Sequence, residues 1–307
     1  MYKSKKFDYW VKWGIIILME RELSGRAYAK VNFGLRVLPG RSDGFHGIES
    51  IFQTVDLFDE LTLTETAEKG CFVHCSSMQL PEKNTLTKAY NAFCEVAGVE
   101  VPGIKVELRK GIPSGGGLGG GSSDAAALTR MLEKLCNVRL SDQQLDYVAA
   151  ETGSDVFFFM HCDENGLGCA LVWGRGENVK NIRARDDLFL VMIFPEVGSS
   201  TKEAYALVDE AFARGNVLIS PEFDELELVY RKPPENWTFI NTFTPVISAK
   251  YEDIGRAIEA LRALDCDYAE MSGSGSTVFG VFASRQLAES AVEKLAGSWN
   301  CKLARTV

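Results

Sequence analysis

The sequence of 307 residues lacks the patterns that mark several large classes of protein. It contains no C-x-x-C pair of the kind that holds zinc or forms a redox centre. It contains no block of lysine and arginine, and its formal net charge is −9, so it offers no basic stripe to a nucleic-acid backbone. It also has no apolar run approaching the ~20 residues of a membrane span. We therefore expect neither nucleic-acid binding nor a membrane anchor.

The eight cysteines are best explained as reduced thiols. Cys71 and Cys75 lie close together with His74 between them, but no second pair of ligands follows, so a zinc site or a disulfide framework is the weaker alternative. Mostly buried thiols are typical of cytosolic proteins, and we expect a cytoplasmic protein without a metal centre of its own. The acidic composition does not exclude a small anionic ligand, because backbone amides bind phosphate without net positive charge.

The N-terminal residues follow an unusual order of basic, aromatic and apolar side chains. Residues 2–19 end in the apolar run 13–19, as in a signal peptide, but charged residues at 20–22 stand where a small-residue cleavage site would lie. We interpret Met19 as the start of the native protein and residues 1–18 as an upstream translation artefact. A native N-terminal peptide that begins before Met19 would contradict this interpretation.

Strand and helix patterns are mixed along the chain, which favours the α+β class. Alternating apolar residues and short apolar runs predict strands at 27–37, 48–63, 104–108, 167–173, 188–194 and 277–282. Helical spacing predicts helices at 84–96, 125–136, 141–152, 254–264 and 285–298, with Asn84 and Ser141 as N-caps. The stretch 212–240 contains three prolines and is interpreted as an irregular, variable insertion.

The strongest chemical signal is a glycine-rich stretch that leads into a helix. Six of the seven residues from Gly115 to Gly121 are glycine, and Ser122 and Ser123 follow. Glycine allows several N–H groups to point at one anion, and the start of a helix adds unpaired amides and the positive end of its dipole. The two serine hydroxyls can cap the helix or reach a phosphate or a magnesium ion. A flexible linker is the alternative, but the short length and the helix behind it favour phosphate binding.

Several motifs together resemble the GHMP kinase superfamily. The glycine-rich stretch has neither the G-K-[ST] of a Walker loop nor the acidic residue of a Rossmann unit. It is similar instead to the nucleotide loop of this superfamily, and its triple glycines resemble the diphosphocytidyl-methylerythritol kinase branch. Further segments similar to that branch are Ala27–Phe33, Gly40–Ile48 with Ile51 and Phe52, Val197–Tyr205, Asn241–Pro245 and Met271–Phe279. The likeness extends from residue 25 to residue 283.

The resemblance implies a particular two-domain form of the α+β class. Residues 25–185 would form a nucleotide-binding domain with a left-handed βαβ crossover, and residues 186–307 a smaller domain that includes the insertion at 212–240. Residues 1–24 would be an extension outside the family. The active site would lie in the cleft between the two domains.

The resemblance further implies a kinase that uses ATP to phosphorylate the 2-hydroxyl group of 4-diphosphocytidyl-2-C-methyl-D-erythritol in the non-mevalonate pathway of isoprenoid synthesis. Asp155 would take the proton of that hydroxyl, and Lys30 would keep the carboxylate ionised and stabilise charge on the transferred group. Taken alone, Asp155 would be an ordinary turn residue and Lys30 a solvated strand residue. ATP, accompanied by Mg²⁺, would bind Pro113, Ser114, Gly115, Gly116, Gly117, Leu118, Gly119, Gly120, Gly121, Ser122 and Ser123.

Five residues carry the implied acceptor site. Phe45 and Tyr205 correspond to two aromatic residues that sandwich the cytosine ring, and His46 to the residue that reads its pyrimidine edge. Asn32 would lie near the sugar alcohol, and Thr201 would contact the diphosphate. Simple loop packing of an aromatic ring, or a capping role for the histidine, is the alternative for this group.

Two other functions stay open. The first is another GHMP kinase, acting on mevalonate derivatives or homoserine. Phe45 and His46 argue against it, because those substrates have no base to stack. The second is a catalytically silent GHMP-like binding protein, against which Lys30, Asp155 and the intact glycine loop argue. The resemblance implies a small-molecule substrate and allows a homodimer.

The chain departs from the family pattern at several positions, none of which belongs to the reacting pair. Phe157 and Tyr28 stand where proline is common, and Ser154 stands where alanine is usual. The segment Asn241–Thr244 lacks both of the acidic residues that the family usually has there. We expect activity to be retained, with altered geometry around these positions.

Overall fold

The computed structural model describes residues 22–41, 44–216 and 218–307. The predicted start at Met19 therefore lies outside the described residues. Within them, strands and helices are mixed throughout, as the α+β prediction requires. No helix of these ranges is both long and apolar enough to cross a membrane.

The first sheet contains six strands: β1 (Glu22–Gly40), β2 (His46–Thr66), β3 (Cys71–Cys75), β4 (Gly103–Arg109), β5 (Cys169–Gly174) and β6 (Asn178–Asn181). Their order is β3-β4-β2-β5-β6, and β1 pairs with β2 along most of its length. The first half of β2 pairs with β5 and its second half with β4. The strands predicted at 27–37, 48–63, 104–108 and 167–173 are confirmed.

The second sheet contains four antiparallel strands: β7 (Phe189–Ile193), β8 (Tyr268–Met271), β9 (Val278–Phe282) and β10 (Cys301–Arg305). Their order is β10-β7-β9-β8. The predicted strands at 188–194 and 277–282 are therefore confirmed as β7 and β9. The edge strands β8 and β10 were not predicted, because both contain charged residues and neither is a continuous apolar run like β7 and β9.

Nine α-helices occur in the described ranges: α1 (Thr85–Val96), α2 (Gly120–Cys136), α3 (Asp142–Thr152), α4 (Ser154–Met160), α5 (Thr201–Ala213), α6 (Leu226–Tyr230), α7 (Thr244–Lys250), α8 (Glu252–Arg262) and α9 (Arg285–Leu295). Short 3-10 turns occur at Phe223–Glu225 and Pro234–Asn236. Asn84 and Ser141 form capping boxes at the starts of α1 and α3, as predicted. Helices α4, α5 and α7 were not predicted.

Helices α1 to α4 pack together beside the first sheet, and α2 lies against β1 and β2. Fully buried side chains at this contact include Phe93, Leu128 and Phe158, and burial of each such side chain contributes about 1.5–3 kcal/mol. Helix α1 connects β3 to β4, which pair in parallel. This is the expected βαβ crossover, and its left hand stays a prediction.

The start of α2 and the stretch 212–240 differ most from prediction. Helix α2 begins at Gly120 rather than near Ala125, so its first turn lies inside the glycine-rich stretch. The irregular stretch 212–240 contains the short helix α6, and Tyr230 at the end of that helix is fully buried. Whether this stretch is an insertion, and where the two domains meet, stay predictions.

Candidate active site

Lys30 reaches the site through an irregular part of the β1–β2 pairing. The pairing register shifts between Tyr28 and Lys30. In a regular strand Ala27 and Ala29 would lie on the same face, yet they belong to different hydrophobic cores. The backbone N–H of Lys30 donates to the carbonyl oxygen of Leu118 in the glycine-rich stretch at 3.0 Å. A β-bulge beside an active site commonly re-aims a side chain in this way.

The structure brings the two predicted reacting groups together. Lys30 Nζ lies 3.4 Å from Asp155 Oδ2, and it donates to Asn32 Oδ1 at 2.7 Å. It also lies 4.5 Å from the centre of the Phe52 ring. The Lys30 side chain is 3% exposed and that of Asp155 is 31% exposed, so the carboxylate is the member that faces an incoming substrate. Burial lowers the pKa of Lys30, and the Asp155 carboxylate opposes part of that effect.

Asp155 is held by the start of α4. Gly153 is the N-cap of this helix and Asp155 is its second residue, where a carboxylate interacts favourably with the helix dipole. Phe157, which stands in place of the common proline, continues the helix, and its carbonyl oxygen accepts from the backbone N–H of His161 at 3.2 Å. The departure at Phe157 therefore leaves Asp155, the predicted base, on a regular helical turn.

The glycine-rich stretch supplies a helix start that no side chain caps. Gly119 is the N-cap of α2, with a φ of +70° in the left-handed region, and it makes no side-chain capping bond. The prediction that Ser122 or Ser123 caps the helix is wrong, because both residues lie within its first turns. The first amides of a helix have no partner within it. They are therefore available to an anion, as the phosphate prediction requires.

The segment Met271–Phe279, here called the second glycine-rich segment, holds the first one in place. The backbone N–H of Thr277 donates to Gly116 O at 3.2 Å, and the Ser272 hydroxyl donates to Gly117 O at 3.1 Å. A Cβ atom at Gly117 would lie 2.0 Å from Ser272 O, and its φ is +75°. Only glycine fits this contact.

Two cavities meet at the glycine-rich stretch, and both are lined by Gly115, Gly117, Gly119 and Ser122. The outer cavity has a volume of about 350 Å³ and apolar walls from Met78, Leu80, Leu86, Leu108 and Pro113. The inner cavity has a volume of about 330 Å³ and contains Lys30, Asn32, Asp155, Thr201 and Tyr205. A chain of phosphates that crosses the stretch would thus connect an apolar pocket to the reacting pair.

The predicted acceptor residues are only partly brought together. Thr201 and Tyr205, on the first two turns of α5, line the inner cavity with Asn32. Tyr205 stacks on the ring of His46, with centroids 4.9 Å apart and planes 19° from parallel. Phe45 lies outside the lining of this cavity, with the Arg175 guanidinium 3.8 Å from its ring centre. The cytosine sandwich between Phe45 and Tyr205 therefore stays a prediction.

His46 and Tyr205 are held by neighbouring groups. His46 Nδ1 lies 3.0 Å from Leu38 O, and its Nε2 lies 3.3 Å from Asp209 Oδ1 on α5. Burial, with a smaller contribution from the Asp155 carboxylate, raises the pKa of Tyr205 to about 12. Tyr205 is therefore a neutral, half-buried ring close to the reacting pair.

Asn241 fastens the second glycine-rich segment, and sequence reasoning gave it no such role. Its side-chain amide donates to Met271 O and to Gly273 O, each at 2.8 Å. Glu270 accepts from the backbone N–H of Asn241 at 3.2 Å and from the Thr244 hydroxyl at 2.5 Å. Glu270 on β8 thus places a carboxylate beside the segment 241–244, which lacks the acidic residues usual in the family. Burial raises the pKa of this glutamate.

The residues that could assist a magnesium ion are few. No group of three or more His, Cys, Asp or Glu side chains within the described residues is arranged to hold a metal. Mg²⁺ is usually bound through one or two carboxylates together with substrate phosphates. Asp155 and the Ser122 hydroxyl, which line the inner cavity, fit that limited role.

Comparison with known proteins places the chain in a family. The family model of the GHMP kinases N terminal domain matches residues 84–163, and that of the GHMP kinases C terminal domain matches residues 224–301. The 4-diphosphocytidyl-2-C-methyl-D-erythritol kinase of Treponema pallidum (strain Nichols) is 36% identical over 286 residues, which cover 91% of this chain and 96% of that protein. The kinase of the same name from Thermotoga maritima is 39% identical over 260 residues, covering 83% of this chain and 90% of that protein.

Solved structures confirm the predicted two-domain GHMP kinase fold. A crystal structure of 4-(cytidine 5'-diphospho)-2C-methyl-D-erythritol kinase has a TM-score of 0.76 and 27% identity, and covers 92% of this chain and 99% of that chain. The mevalonate kinase of Methanococcus jannaschii has a TM-score of 0.63 at 14% identity, with 94% and 99% covered, and shares the fold. From its matches above 30% identity over most of its length, the chain belongs to the GHMP kinase family, as an ATP-dependent small-molecule kinase of the 4-diphosphocytidyl-2-C-methyl-D-erythritol kinase group.

Proposed function

We propose that the protein transfers the γ-phosphoryl group of ATP to the 2-hydroxyl group of 4-diphosphocytidyl-2-C-methyl-D-erythritol, in the non-mevalonate pathway of isoprenoid synthesis. The observation that carries this proposal is the Lys30–Asp155 pair, which lies in the inner cavity next to the helix start of the glycine-rich stretch. The names of the Treponema and Thermotoga relatives support this choice of acceptor.

The reaction needs a group that accepts the proton of the attacking hydroxyl and a cation that stabilises the negative charge of the transferred phosphoryl group. Asp155 accepts the proton of the attacking hydroxyl while the new O–P bond forms and the bond to the β-phosphate oxygen breaks, releasing ADP. Lys30 holds the carboxylate in position and, as a cation, stabilises charge on the transferred group. Asn32 orients the lysine ammonium, since its Oδ1 accepts from Nζ.

ATP would occupy both cavities around the glycine-rich stretch. The purine would lie in the outer cavity against its apolar walls, and the phosphates would cross to the reacting pair over residues 113–123. The uncapped amides of α2 and the serine hydroxyl of Ser122 would bind them. Mg²⁺ would arrive with ATP and neutralise phosphate charge, with Asp155 or Ser122 as side-chain ligand.

The acceptor would approach from the side of α5. Thr201 lies beside Ser274, with their hydroxyl oxygens 3.0 Å apart, where they can reach a diphosphate. Tyr205, His46 and Phe45 would bind the cytosine ring. Since Tyr205 already stacks on His46, the ring would either extend this stack or replace His46 in it.

Further parts of the proposal concern the whole protein. We infer domain limits of 25–185 and 186–307, with the insertion at 212–240, because β1–β6 and β7–β10 form separate sheets. A cytoplasmic location follows from the nature of the proposed substrates. Binding to nucleic acid is not expected, because the net charge is −9. A homodimer is compatible with the site, which draws on one chain.

One assay tests the proposed acceptor. The cytidylated erythritol, mevalonate and homoserine would be offered in parallel with Mg·ATP, and ADP release would be followed for each. We expect turnover with the cytidylated erythritol and none above background with the other two. Turnover with mevalonate or homoserine in its place would refute the proposed acceptor, and no turnover with any of the three would indicate a binding protein.

A further inference from the structure

A buried group of three charged residues lies beside the outer cavity, and the proposed phosphoryl transfer does not use it. Lys110 Nζ contacts Asp59 Oδ2 and lies 3.1 Å from Asp124 Oδ2. The side chains are 11%, 0% and 3% exposed for Lys110, Asp59 and Asp124, respectively. Lys110 and Asp124 both line the outer cavity, and they are its charged lining residues.

The two carboxylates differ in the number of hydrogen bonds that their oxygen atoms accept. Asp59 Oδ1 accepts from the backbone N–H groups of Gly111 at 2.6 Å and Ile112 at 2.8 Å, and its Oδ2 accepts from Lys110. Asp124 Oδ2 also accepts from Lys110, but Asp124 Oδ1 is buried and has no hydrogen-bond partner. A buried polar atom without a partner costs about 1–3 kcal/mol, so a ligand that donates to it would gain affinity.

We propose that Asp124 is the residue that selects the base of the nucleotide, with its unpartnered Oδ1 accepting a hydrogen bond from the exocyclic amino group of adenine. This inference rests on the proposed placement of the purine in the outer cavity. The apolar walls would hold the faces of the ring, and Asp124 would read one edge. Lys110 lies against both carboxylates and holds Asp124 in place beside the cavity.

The proposed contact distinguishes purines by the group at position 6. Adenine presents an amino donor there, whereas guanine presents a carbonyl acceptor. Hypoxanthine has the same carbonyl, so it would place an acceptor against the acceptor of Asp124. A purine with hydrogen at position 6 would leave Oδ1 unpartnered. ATP is therefore expected to bind more tightly than either analogue.

The test is equilibrium titration of the full chain with Mg·ATP, Mg·ITP and the triphosphate of purine riboside, at pH 7.5 by calorimetry. Wild type should prefer ATP to each analogue by about 10- to 100-fold, the scale of leaving a buried acceptor without a partner. Asp124→Ala and the isosteric Asp124→Asn should lose most of that preference. Glu133→Gln is the matched control, because Glu133 is a buried carboxylate on the same helix that accepts from Leu140 N at 2.8 Å, away from the cavity.

Two results would overturn the inference. The first is equal binding of ATP and both analogues by the wild type, which needs no variant and is informative even if Asp124→Ala does not fold. The second is an equal weakening of all three nucleotides by both Asp124 variants, which would make the residue a support for Lys110 only. These titrations contain no acceptor, so a failure of the proposed acceptor is seen separately.

Discussion

At the scale of single residues, the reacting pair is defined by unequal burial. Asp155 is far more exposed than Lys30 and faces the inner cavity. Asp155→Asn keeps the size of the side chain and its place in the first turn of α4, but it removes the carboxylate that would accept the proton. We expect kcat to fall by about 10²–10⁴, with the KM for ATP nearly unchanged. Steady-state kinetics with the cytidylated erythritol measure both parameters.

Asp146→Asn serves as the control for this substitution. Asp146 pairs with His161 at 2.8 Å and lies outside both cavities, so its loss should leave kcat unchanged. If Asp155→Asn turned over at a rate near that of wild type, the role of Asp155 would be structural.

The buried ammonium of Lys30 predicts the alkaline limit of activity. Burial lowers its pKa from the ordinary 10.5, so Lys30 loses its charge at a lower pH than an exposed lysine. We expect kcat to decline on the alkaline side at a pH below that value. Tyr205, with a pKa of about 12, stays neutral in this range and does not contribute.

The profile of kcat against pH checks this expectation, with correction for enzyme stability at each pH. Lys30→Arg should shift the alkaline decline upward or abolish it, because a guanidinium keeps its charge, although the turnover should be lower. A wild-type profile that stays flat through pH 10.5 would contradict the assignment of the limit to Lys30.

The sequence predicted some functional residues and missed others for a physical reason. Lys30 and Asp155 lie in motifs that resemble the family, so they could be predicted from short segments. Lys110, Asp59 and Asp124 gave no such signal, since each reads as an ordinary charged residue. Their proximity depends on the pairing of β2 with β4 and on the packing of α2. The one hint in the sequence was Asp124, a charged residue that directly follows the glycine-rich stretch and its two serines.

At the scale of elements, the start of α2 is the part of the proposed phosphate site that a substitution can test most directly. Gly119 has a φ of +70°, and a Cβ there would lie 2.9 Å from the Phe159 ring and 3.2 Å from the Lys30 side chain. Gly119→Val would therefore move both the helix start and the reacting lysine. We expect loss of measurable ATP binding in a calorimetric titration while the fold is retained.

Gly98→Val is the matched control for backbone strain. Gly98 has a φ of +68°, but a Cβ there meets no atom within 4 Å. This variant should lose about 1–2 kcal/mol of stability and bind ATP as wild type does. Normal ATP binding by Gly119→Val would place the phosphate site elsewhere.

The error in the predicted start of α2 has an instructive cause. Glycine disfavours helix interiors, and serine favours N-caps, so a boundary after Ser122 and Ser123 follows from local preference. In the structure these glycines have little room for a side chain. A Cβ at Gly120 would lie 3.1 Å from Ile112 and 3.2 Å from Lys110, and a Cβ at Gly121 would lie 3.3 Å from Thr85. The packing around the first turn therefore favours glycine at positions where local helix preference disfavours it.

At the scale of the whole molecule, long-range contacts were the least predictable part. Tyr230 donates to Gln53 on β2, and its hydroxyl accepts from the backbone N–H of Arg185 at 3.0 Å. The ring of Trp237 lies 5.0 Å from that of Phe33 on β1. The stretch 212–240, which looks irregular in sequence, thus packs its aromatic residues on the first sheet. Proline spacing shows where helices end and carries no information about such partners.

The last prediction concerns the cytosine site, which depends on parts of both halves of the chain. Stacking on an aromatic face is worth about 1–3 kcal/mol per base. Tyr205→Ala and Phe45→Ala should each raise the KM for the cytidylated erythritol by about 5- to 150-fold. Neither should change the KM for ATP, whose purine is expected in the outer cavity. Leu228→Ala, an exposed apolar residue of α6, is the control and should change neither constant.

Competition separates this site from that of ATP without any substitution. CMP and CDP carry the cytosine ring and part of the phosphate chain, so they should raise the apparent KM of the acceptor and leave that of ATP unchanged. The two aromatic variants should be less sensitive to CMP by a factor similar to their loss in acceptor affinity. The match between the loss of acceptor affinity and the loss of sensitivity to CMP is the stronger check. A ring that only supports α5 would weaken acceptor binding without an equal loss of inhibition by CMP. If millimolar CMP competed with ATP instead, or with neither substrate, the acceptor would not be recognised through cytosine.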